Sequence, residues 1–381
     1  MGAPPDRPPI LPLTSLRFFA AALVVAFHYD PDKLIRLPAF VQNWLETGYE
    51  AVTFFFLLSG FVLSYVYFGS DPGRTNTSLR AFFIARFGRL FPAYYFSLLI
   101  ALPFFLAPSF FEDHPASPNH VYHGLLVVTS LQSWWPPAAL AWNPPAWSVS
   151  VEWFLYATFP VIAWATRFIP GGVFLVLSFL LVAAVAAFRV LVMEPLMEDE
   201  PEKWRSFVLF FPLFHLPQFI FGIALGRVHL IGPKLPPAFA GWLFTAGAVG
   251  LMVLFSDLQD LPPRIRSNAV LAIFFSMLIY GAAQEGHYAY RALSVRPLVY
   301  LGNISYAMYA VHQPLEFYWE WQGPREQGWG LPSYLDFALY FLLVVAVAAF
   351  CYRFVETPLR HRIRRWATRA PPAPATAQPA P

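Results

Sequence analysis

Long apolar runs recur from Leu13 through Val355, and they constrain the fold more than any other feature of the sequence. Each run is about 17 to 25 residues long, which is the length that a helix needs to cross the hydrocarbon core of a bilayer. The composition agrees with this interpretation, because 57% of the residues are hydrophobic and only 12% are charged. A water-soluble fold could not bury so much apolar surface. The sequence therefore predicts an all-α, polytopic transmembrane helix bundle.

The apolar runs divide into ten predicted spans. A further apolar segment, residues 121–131, is too short to cross and is predicted to be re-entrant or interfacial. The predicted spans are residues 13–29, 49–68, 91–107, 149–165, 173–193, 207–225, 239–255, 269–283, 298–317 and 334–355.

The distribution of basic residues predicts the orientation. With ten spans, the cluster from Arg360 to Arg365 falls on the same side as the N-terminus, whereas counting residues 121–131 as a span would place it outside. The positive-inside rule favours cytoplasmic N- and C-termini. We interpret residues 1–366 as a membrane-embedded domain and residues 367–381 as a disordered Pro/Ala-rich tail.

Net charge, cysteine content and histidine spacing add three further constraints on function. The net charge of +3 is too small to indicate nucleic-acid binding. Cys351 is the single cysteine, so no intrachain disulfide can form. The histidines outside the spans show no spacing typical of a metal site, and no metal is predicted.

The first span carries Arg17 near one end and His28 near the other. Ionisable residues within a span are costly and indicate function by default. The two are separated by about 16 Å along a helix and lie nearly on one face, so both can line one channel. The alternative is that Arg17 binds lipid phosphate and His28 lies at the outer interface.

Arg86 and Arg89 are three residues apart on a helix and therefore project from the same side. Paired guanidinium groups suit phosphate oxygens, so a phosphate-bearing cytoplasmic cofactor such as coenzyme A would fit them. Taken alone, the pair is more simply explained by anchoring next to anionic lipid.

The fourth and ninth spans carry further polar residues. Glu152 is predicted to lie at a similar depth to His28 and to orient its imidazole as a general base. His312 is a second imidazole within a span, and it either takes part in acceptor binding or proton transfer or is a packing residue. A structural role in helix packing is the alternative for Glu152.

In order, the motifs are the Arg17 and His28 spacing, FFFLLSGFVLSY, ARFGRLFPAYY, WSVSVEWFLY and LGNISYAMYAVHQPL. This set resembles the acyltransferase-3 family of integral membrane acyltransferases over nearly the whole chain. The resemblance implies a bundle of about ten helices in a bacterial-type cytoplasmic membrane. It also implies transfer of acetyl or a related short acyl group from acyl-CoA to a hydroxyl, commonly on cell-envelope glycans; some relatives acylate macrolide antibiotics instead.

The resemblance also implies residue roles. His28 would be the catalytic base or acyl carrier, with Glu152 as its catalytic partner, and Arg17, Arg86 and Arg89 would bind the donor. Trp153 departs from the family, where an acidic or polar residue is common. The residues predicted to bind substrate are Trp147, Ser148, Ser150, Tyr306 and His312.

We therefore expect an O-acyltransferase whose partners are acyl-CoA, a hydroxyl acceptor on a cell-envelope or exported glycan, and the bilayer. A macrolide-type acceptor is an alternative within the same chemistry. From another class, a transporter that flips a lipid-linked substrate would also need buried Arg, His and Glu, and a membrane scaffold would need them only for packing. Direct transfer and an acyl-histidine intermediate stay open.

Overall fold

The computed structural model describes residues 7–29, 37–69, 77–107, 119–256, 268–322 and 333–368. Every regular element in these ranges is helical, which confirms the predicted all-α helix bundle. Residues 369–381, most of the predicted tail, lie outside them. The α-helices are α1 (Leu11–His28), α2 (Ala39–Glu46), α3 (Ala51–Tyr67), α4 (Leu79–Leu106), α5 (His120–Val128), α6 (Trp147–Ala165), α7 (Gly171–Phe188), α8 (Glu194–Asp199), α9 (Pro201–Phe210), α10 (Leu216–Ile231), α11 (Pro237–Ser256), α12 (Asn268–Ala282), α13 (Tyr288–Leu293), α14 (Arg296–Gln322), α15 (Ser333–Phe350) and α16 (Thr357–Thr368).

By length and composition alone, seven helices among the described residues are able to cross a membrane, and α12 is a shorter apolar helix. The helices α6 and α14, which the sequence also predicts to span, are not among these seven. The protein is therefore a multi-pass membrane protein, while the number of spans and the side of the termini stay predictions. The seven helices are Leu11–His28, Phe40–Tyr67, Leu79–Leu106, Gly171–Asp199, Pro212–Ile231, Pro237–Ser256 and Tyr334–Trp366.

Prolines shift one predicted span. The predicted span 207–225 is not continuous, because α9 ends at Phe210, a 3-10 turn covers Pro212–Phe214, and α10 begins at Leu216. Proline has no amide hydrogen and clashes with the preceding turn, so Pro212 interrupts the helix. The apolar helix of this region runs instead over Pro212–Ile231.

Close helix contacts at glycines bring the central helices together. A Cβ atom at Gly222 of α10 would clash with the backbone carbonyl of Leu57 in α3, and one at Gly302 of α14 would clash with the backbone of Thr14 in α1. Small residues let membrane helices approach to backbone contact. These contacts place α10 against α3 and α14 against α1, and the site described below lies among these helices.

The Pro- and Trp-rich segment before α6 is folded onto the bundle. The Gln132 side-chain amide donates to the Ala146 carbonyl at 2.9 Å, and the Ser133 hydroxyl donates to the Trp147 carbonyl at 2.7 Å. Asn143 donates to the Ala310 carbonyl of α14 at 3.1 Å. The segment therefore fixes the first turn of α6 against α14. The neighbouring helix α5 has nine residues, too few to cross a bilayer, as predicted.

Candidate functional site

An elongated, arginine-lined cavity of about 430 Å³ runs along α3. Val52 and Tyr67 both line it, and the helical rise between them is about 22 Å. Among the lining residues Glu152 is the sole carboxylate, so the cavity is strongly cationic. The lining arginines are Arg7, Arg17, Arg86, Arg89, Arg360 and Arg364.

Aromatic rings hold the two arginines of α4. The Arg86 guanidinium lies 5.3 Å from the Tyr67 ring centroid and 5.7 Å from that of Tyr156. The Arg89 guanidinium lies 5.1 Å from the Tyr306 ring centroid and forms an ion pair with the buried Glu356. Cation–π contacts orient a guanidinium without using its hydrogen-bond donors. Arg86 in particular keeps donors available for an anion.

Arg17 is the least engaged of the predicted donor-binding residues. Its half-buried guanidinium forms no hydrogen bond or ion pair with any residue that the structure describes, although it lines the cavity beside Glu152, Arg86 and Arg89. A guanidinium carries five donors in a planar fork that matches phosphate oxygens. Arg17 therefore has hydrogen-bond donors available for an anionic ligand.

The Glu152 carboxylate lines this cavity and forms its hydrogen bonds there. Its Oε1 accepts hydrogen bonds from the Ser59 hydroxyl at 3.2 Å and from the Tyr156 hydroxyl. No hydrogen bond or ion pair joins Glu152 to His28 among the described residues, so the structure does not show the predicted pairing. The orientation of α6 instead turns the carboxylate toward Ser59 of α3 and the cavity.

His28 pairs instead with His312. Nδ1 of His28 lies 3.0 Å from the Val24 carbonyl and 3.3 Å from Nε2 of His312, whose own Nδ1 lies 2.7 Å from the Tyr309 carbonyl. A carbonyl only accepts, so both Nδ1 atoms carry hydrogen, and the single hydrogen on Nδ1 of His28 is shared between the Val24 carbonyl and Nε2 of His312. Nε2 of His28 is then the unprotonated nitrogen, and it has no hydrogen-bond partner among the described residues. This is the tautomer that a general base or a nucleophile needs.

Tyr309 lies between the histidine pair and the cavity. It lines the cavity, and its ring centroid is 5.8 Å from that of His312, whereas neither His28 nor His312 is a lining residue. The Tyr309 hydroxyl accepts from Ser148 at 2.7 Å and donates to the Pro145 carbonyl at 3.1 Å. Tyr309, which Ser148 supports by this hydrogen bond, is therefore the part of the cavity wall that contacts His312.

Comparison with known proteins identifies the family. Residues 12–353 match the family model for an acyltransferase domain, that of the acyltransferase-3 family. The chain is 30% identical over 397 residues to the acyltransferase MdmB of Streptomyces mycarofaciens, covering 98% of this chain and 97% of that protein. The chain belongs to the acyltransferase-3 family. It is a membrane acyltransferase, as the resemblance implied.

Two other relatives are longer than this acyltransferase. It is 25% identical over 394 residues to YrhL of Bacillus subtilis, a proposed peptidoglycan O-acetyltransferase, and 23% identical over 378 residues to the O-acetyltransferase OatA of Staphylococcus aureus. The alignments cover 93% and 92% of this chain, but only 58% and 57% of those proteins. No solved structure matches the chain.

The structure shows where the predicted site residues of this acyltransferase lie. Arg17, Arg86, Arg89, Ser148, Glu152 and Tyr306 line the cavity, and His28 and His312 form the pair beside it. Trp147 and Ser150 lie elsewhere. The Trp147 ring packs against His215 and Phe210, and the Ser150 hydroxyl accepts from the Ser133 amide at 3.4 Å. The roles of all ten residues stay predictions.

Several lining residues of the acyltransferase that bear on its charge and shape were not predicted as site residues, among them Arg7, Tyr309, Arg360 and Arg364. The arginines near the chain ends were attributed only to the positive-inside bias. The sequence feature that could have identified two of them is the four-residue spacing of Arg360 and Arg364, because it places both on one face of a helix.

His312 is expected to act through His28, as a positioning residue. His312→Ala should lower kcat for acyl transfer by about a hundredfold with little change in the donor KM, because Nδ1 of His28 loses one of its two acceptors and the imidazole is held less firmly. His312→Gln should recover part of kcat, since an amide oxygen can also accept from Nδ1 of His28. Steady-state kinetics on the purified variants measures both constants. Equal losses in the Ala and Gln variants, together with lowered thermal stability, would indicate a packing role instead.

Proposed function

We propose that this acyltransferase transfers acetyl or a related short acyl group from acyl-CoA to a hydroxyl of a cell-envelope or exported glycan, in the bacterial cytoplasmic membrane. The observation that carries the proposal is the elongated cavity, with its arginines toward one end and the histidine pair beyond Tyr309 at the other. A donor with a phosphate-rich nucleotide and a long neutral arm has the matching distribution of charge. The positive-inside rule makes the arginine end cytoplasmic.

The donor would bind with its phosphates on Arg17, Arg86 and Arg89. Its pantetheine arm would extend along α3 toward Tyr309 and Ser148, through lining residues that are mostly apolar on that helix, such as Val62, Leu58 and Phe55. Glu152 would keep Tyr156 oriented beneath Arg86 through the hydrogen bond between their side chains. Its charge would also offset part of the repulsion among the arginines while the cavity is empty.

The acceptor hydroxyl would approach His28 from the opposite side. Nε2 of His28 would remove the hydroxyl proton as the oxygen attacks the thioester carbonyl carbon. The carbon–sulfur bond then breaks, the acyl group stays on the acceptor oxygen, and the proton passes from His28 to the leaving thiolate. In the covalent alternative, Nε2 attacks the thioester carbonyl and the carbon–sulfur bond breaks to release the thiolate. The acceptor hydroxyl then attacks the acyl-imidazole, the carbon–nitrogen bond breaks, and the hydroxyl proton passes by way of the freed imidazole to the thiolate.

Arg17→Gln tests the donor site. We expect the KM for acetyl-CoA to rise about tenfold to hundredfold, because a charge-assisted hydrogen bond to phosphate is lost. Transfer of labelled acetyl from acetyl-CoA, in membranes that contain wild type or variant, to a panel of glycan and macrolide acceptors measures this and assigns the acceptor class. Arg80→Gln is the matched control, because Arg80 is exposed at the start of α4 and does not line the cavity.

The same assay, combined with a measurement of lipid translocation, distinguishes an acyltransferase from a transporter. Wild-type protein that consumes no acetyl-CoA with any acceptor, yet moves a lipid-linked substrate across the membrane, would contradict the proposal in favour of a transporter. An unchanged KM in Arg17→Gln would contradict the assignment of this arginine to the donor.

A further inference from the structure

The helix α16 packs directly against the segment of α4 that carries Arg86 and Arg89. A Cβ atom at Gly88 would lie 3.5 Å from Cγ2 of Ile363 and 3.7 Å from Cα of Arg360, which is van der Waals contact. Gly88 lies between Arg86 and Arg89 in sequence but projects from a different side of α4. The backbone of α16 therefore packs against α4 at the level of these arginines.

An ion pair and a π-helical segment fix the direction in which α16 leaves α15. Residues Cys351–Glu356 form the π-helical segment, and the carboxylate of Glu356 at its end is fully buried against Arg89 of α4. Such segments rotate the helix that follows them and are frequent at functional sites. The segment and the ion pair together keep α16 against α4.

Two arginines of α16 face the cavity. Arg360 and Arg364 are four residues apart, so they lie on one face, and both line the cavity together with Arg86 and Arg89. Arg360 is half-buried and lies close enough to Arg89 and Arg86 for mutual repulsion. Arg362 of the same helix is exposed and is not a lining residue. Bringing like charges together costs free energy, and a bound anion offsets this cost.

We propose that α16 forms one wall of the donor site and that Arg360 and Arg364 bind the phosphate groups farthest from the thioester. This inference rests on the proposed function. Arg7 marks the same end of the cavity, since its guanidinium donates to the Phe68 carbonyl at 2.9 Å just beyond the end of α3. Val52, Ser148 and Tyr309 line the other end. A donor whose acyl group is near Tyr309 therefore places its nucleotide phosphates beside α16.

The test compares two donors that differ in their phosphates. In the double variant Arg360→Gln/Arg364→Gln, the KM for acetyl-CoA should rise about tenfold to hundredfold. The KM for S-acetylpantetheine, which has no phosphate, should not change. Arg362→Gln, on the same helix, should leave both constants as in wild type. If the double variant does not fold, Arg364→Gln replaces it, because Arg364 is at an exposed position. This single variant should give a smaller rise in the KM for acetyl-CoA.

A second measurement separates this inference from the proposed function. CoA should raise the unfolding temperature of detergent-solubilised wild type and of Arg362→Gln. The rise should be much smaller in the double variant, because at one CoA concentration a ligand that binds more weakly stabilises the folded state less. Wild type that is stabilised by CoA but transfers no acetyl group would contradict only the proposed function. An unchanged response to CoA in the double variant would overturn the inference.

Anionic lipid is the competing ligand for the two arginines. The rise in KM should be the same in nanodiscs of phosphatidylcholine and in nanodiscs that also contain phosphatidylglycerol, because the arginines face the cavity. A rise that occurs only with phosphatidylglycerol would assign Arg360 and Arg364 to lipid head groups and overturn the inference.

Discussion

Replacing His28 by alanine is expected to reduce acyl transfer by about 10³-fold or more, with little change in the affinity for acetyl-CoA. The reason is the tautomer that the hydrogen bonds impose: Nδ1 of His28 donates, so Nε2 is the nitrogen available to accept a proton or an acyl group. Transfer of labelled acetyl by purified wild type and variant, at equal abundance, measures the loss. Thermal stabilisation by CoA measures the unchanged affinity.

His361→Ala is the matched control, because His361 is exposed on α16 and is not a lining residue. A His28→Ala variant that keeps a tenth or more of the wild-type rate would show that the imidazole does not react. The same protein also separates the two chemical routes. Labelled acyl group trapped on wild type without acceptor, and absent from His28→Ala, would establish the acyl-histidine intermediate.

Glu356→Gln should destabilise the folded protein by about 3 kcal/mol or more. Glu356 is fully buried and the Arg89 side chain is only 20% exposed, so loss of the carboxylate charge leaves a poorly solvated guanidinium without its counter-ion. The other arginines of the cavity then repel Arg89 with less compensation, which Glu152 still provides in part. Unfolding of the detergent-solubilised protein by heat or denaturant measures the change.

The same variant should respond more strongly to anions than wild type does. Loss of one negative charge beside the cavity strengthens its attraction for phosphate, so CoA should raise the unfolding temperature of Glu356→Gln by more degrees than that of wild type. Glu285→Gln removes an exposed carboxylate and should change neither quantity. A variant with wild-type stability would show that the ion pair contributes nothing beyond the packing of α16.

Arg86 and Arg89 illustrate what local sequence can predict. That both project from one side of α4 follows from helical periodicity, because residues three apart on one helix do so whatever the rest of the fold does. The same holds for the apolar runs, whose length alone indicates helices that suit a bilayer. These predictions needed no contact between distant segments.

Glu152 and His28 illustrate the opposite case. Both residues were recognised as polar groups within spans, but their pairing depended on how α6 is rotated about its axis, and one face of a helix differs from the next by only a residue or two. The structure turns Glu152 toward Ser59 and gives His28 the partner His312. The sequence left a packing role for His312 as an equal alternative.

By itself, the sequence determined the family, the all-α class and the helices that carry His28, Arg17 and the α4 arginines, because these depend on local composition, length and spacing. Only the tertiary structure decided that His28 faces His312, that Glu152 lies among arginines, and that α16 returns to place Arg360 and Arg364 beside Arg86 and Arg89. Such neighbours are set by helix rotation and by the glycine contacts that fix which helices touch. The periodicity of a single helix predicts neither of them.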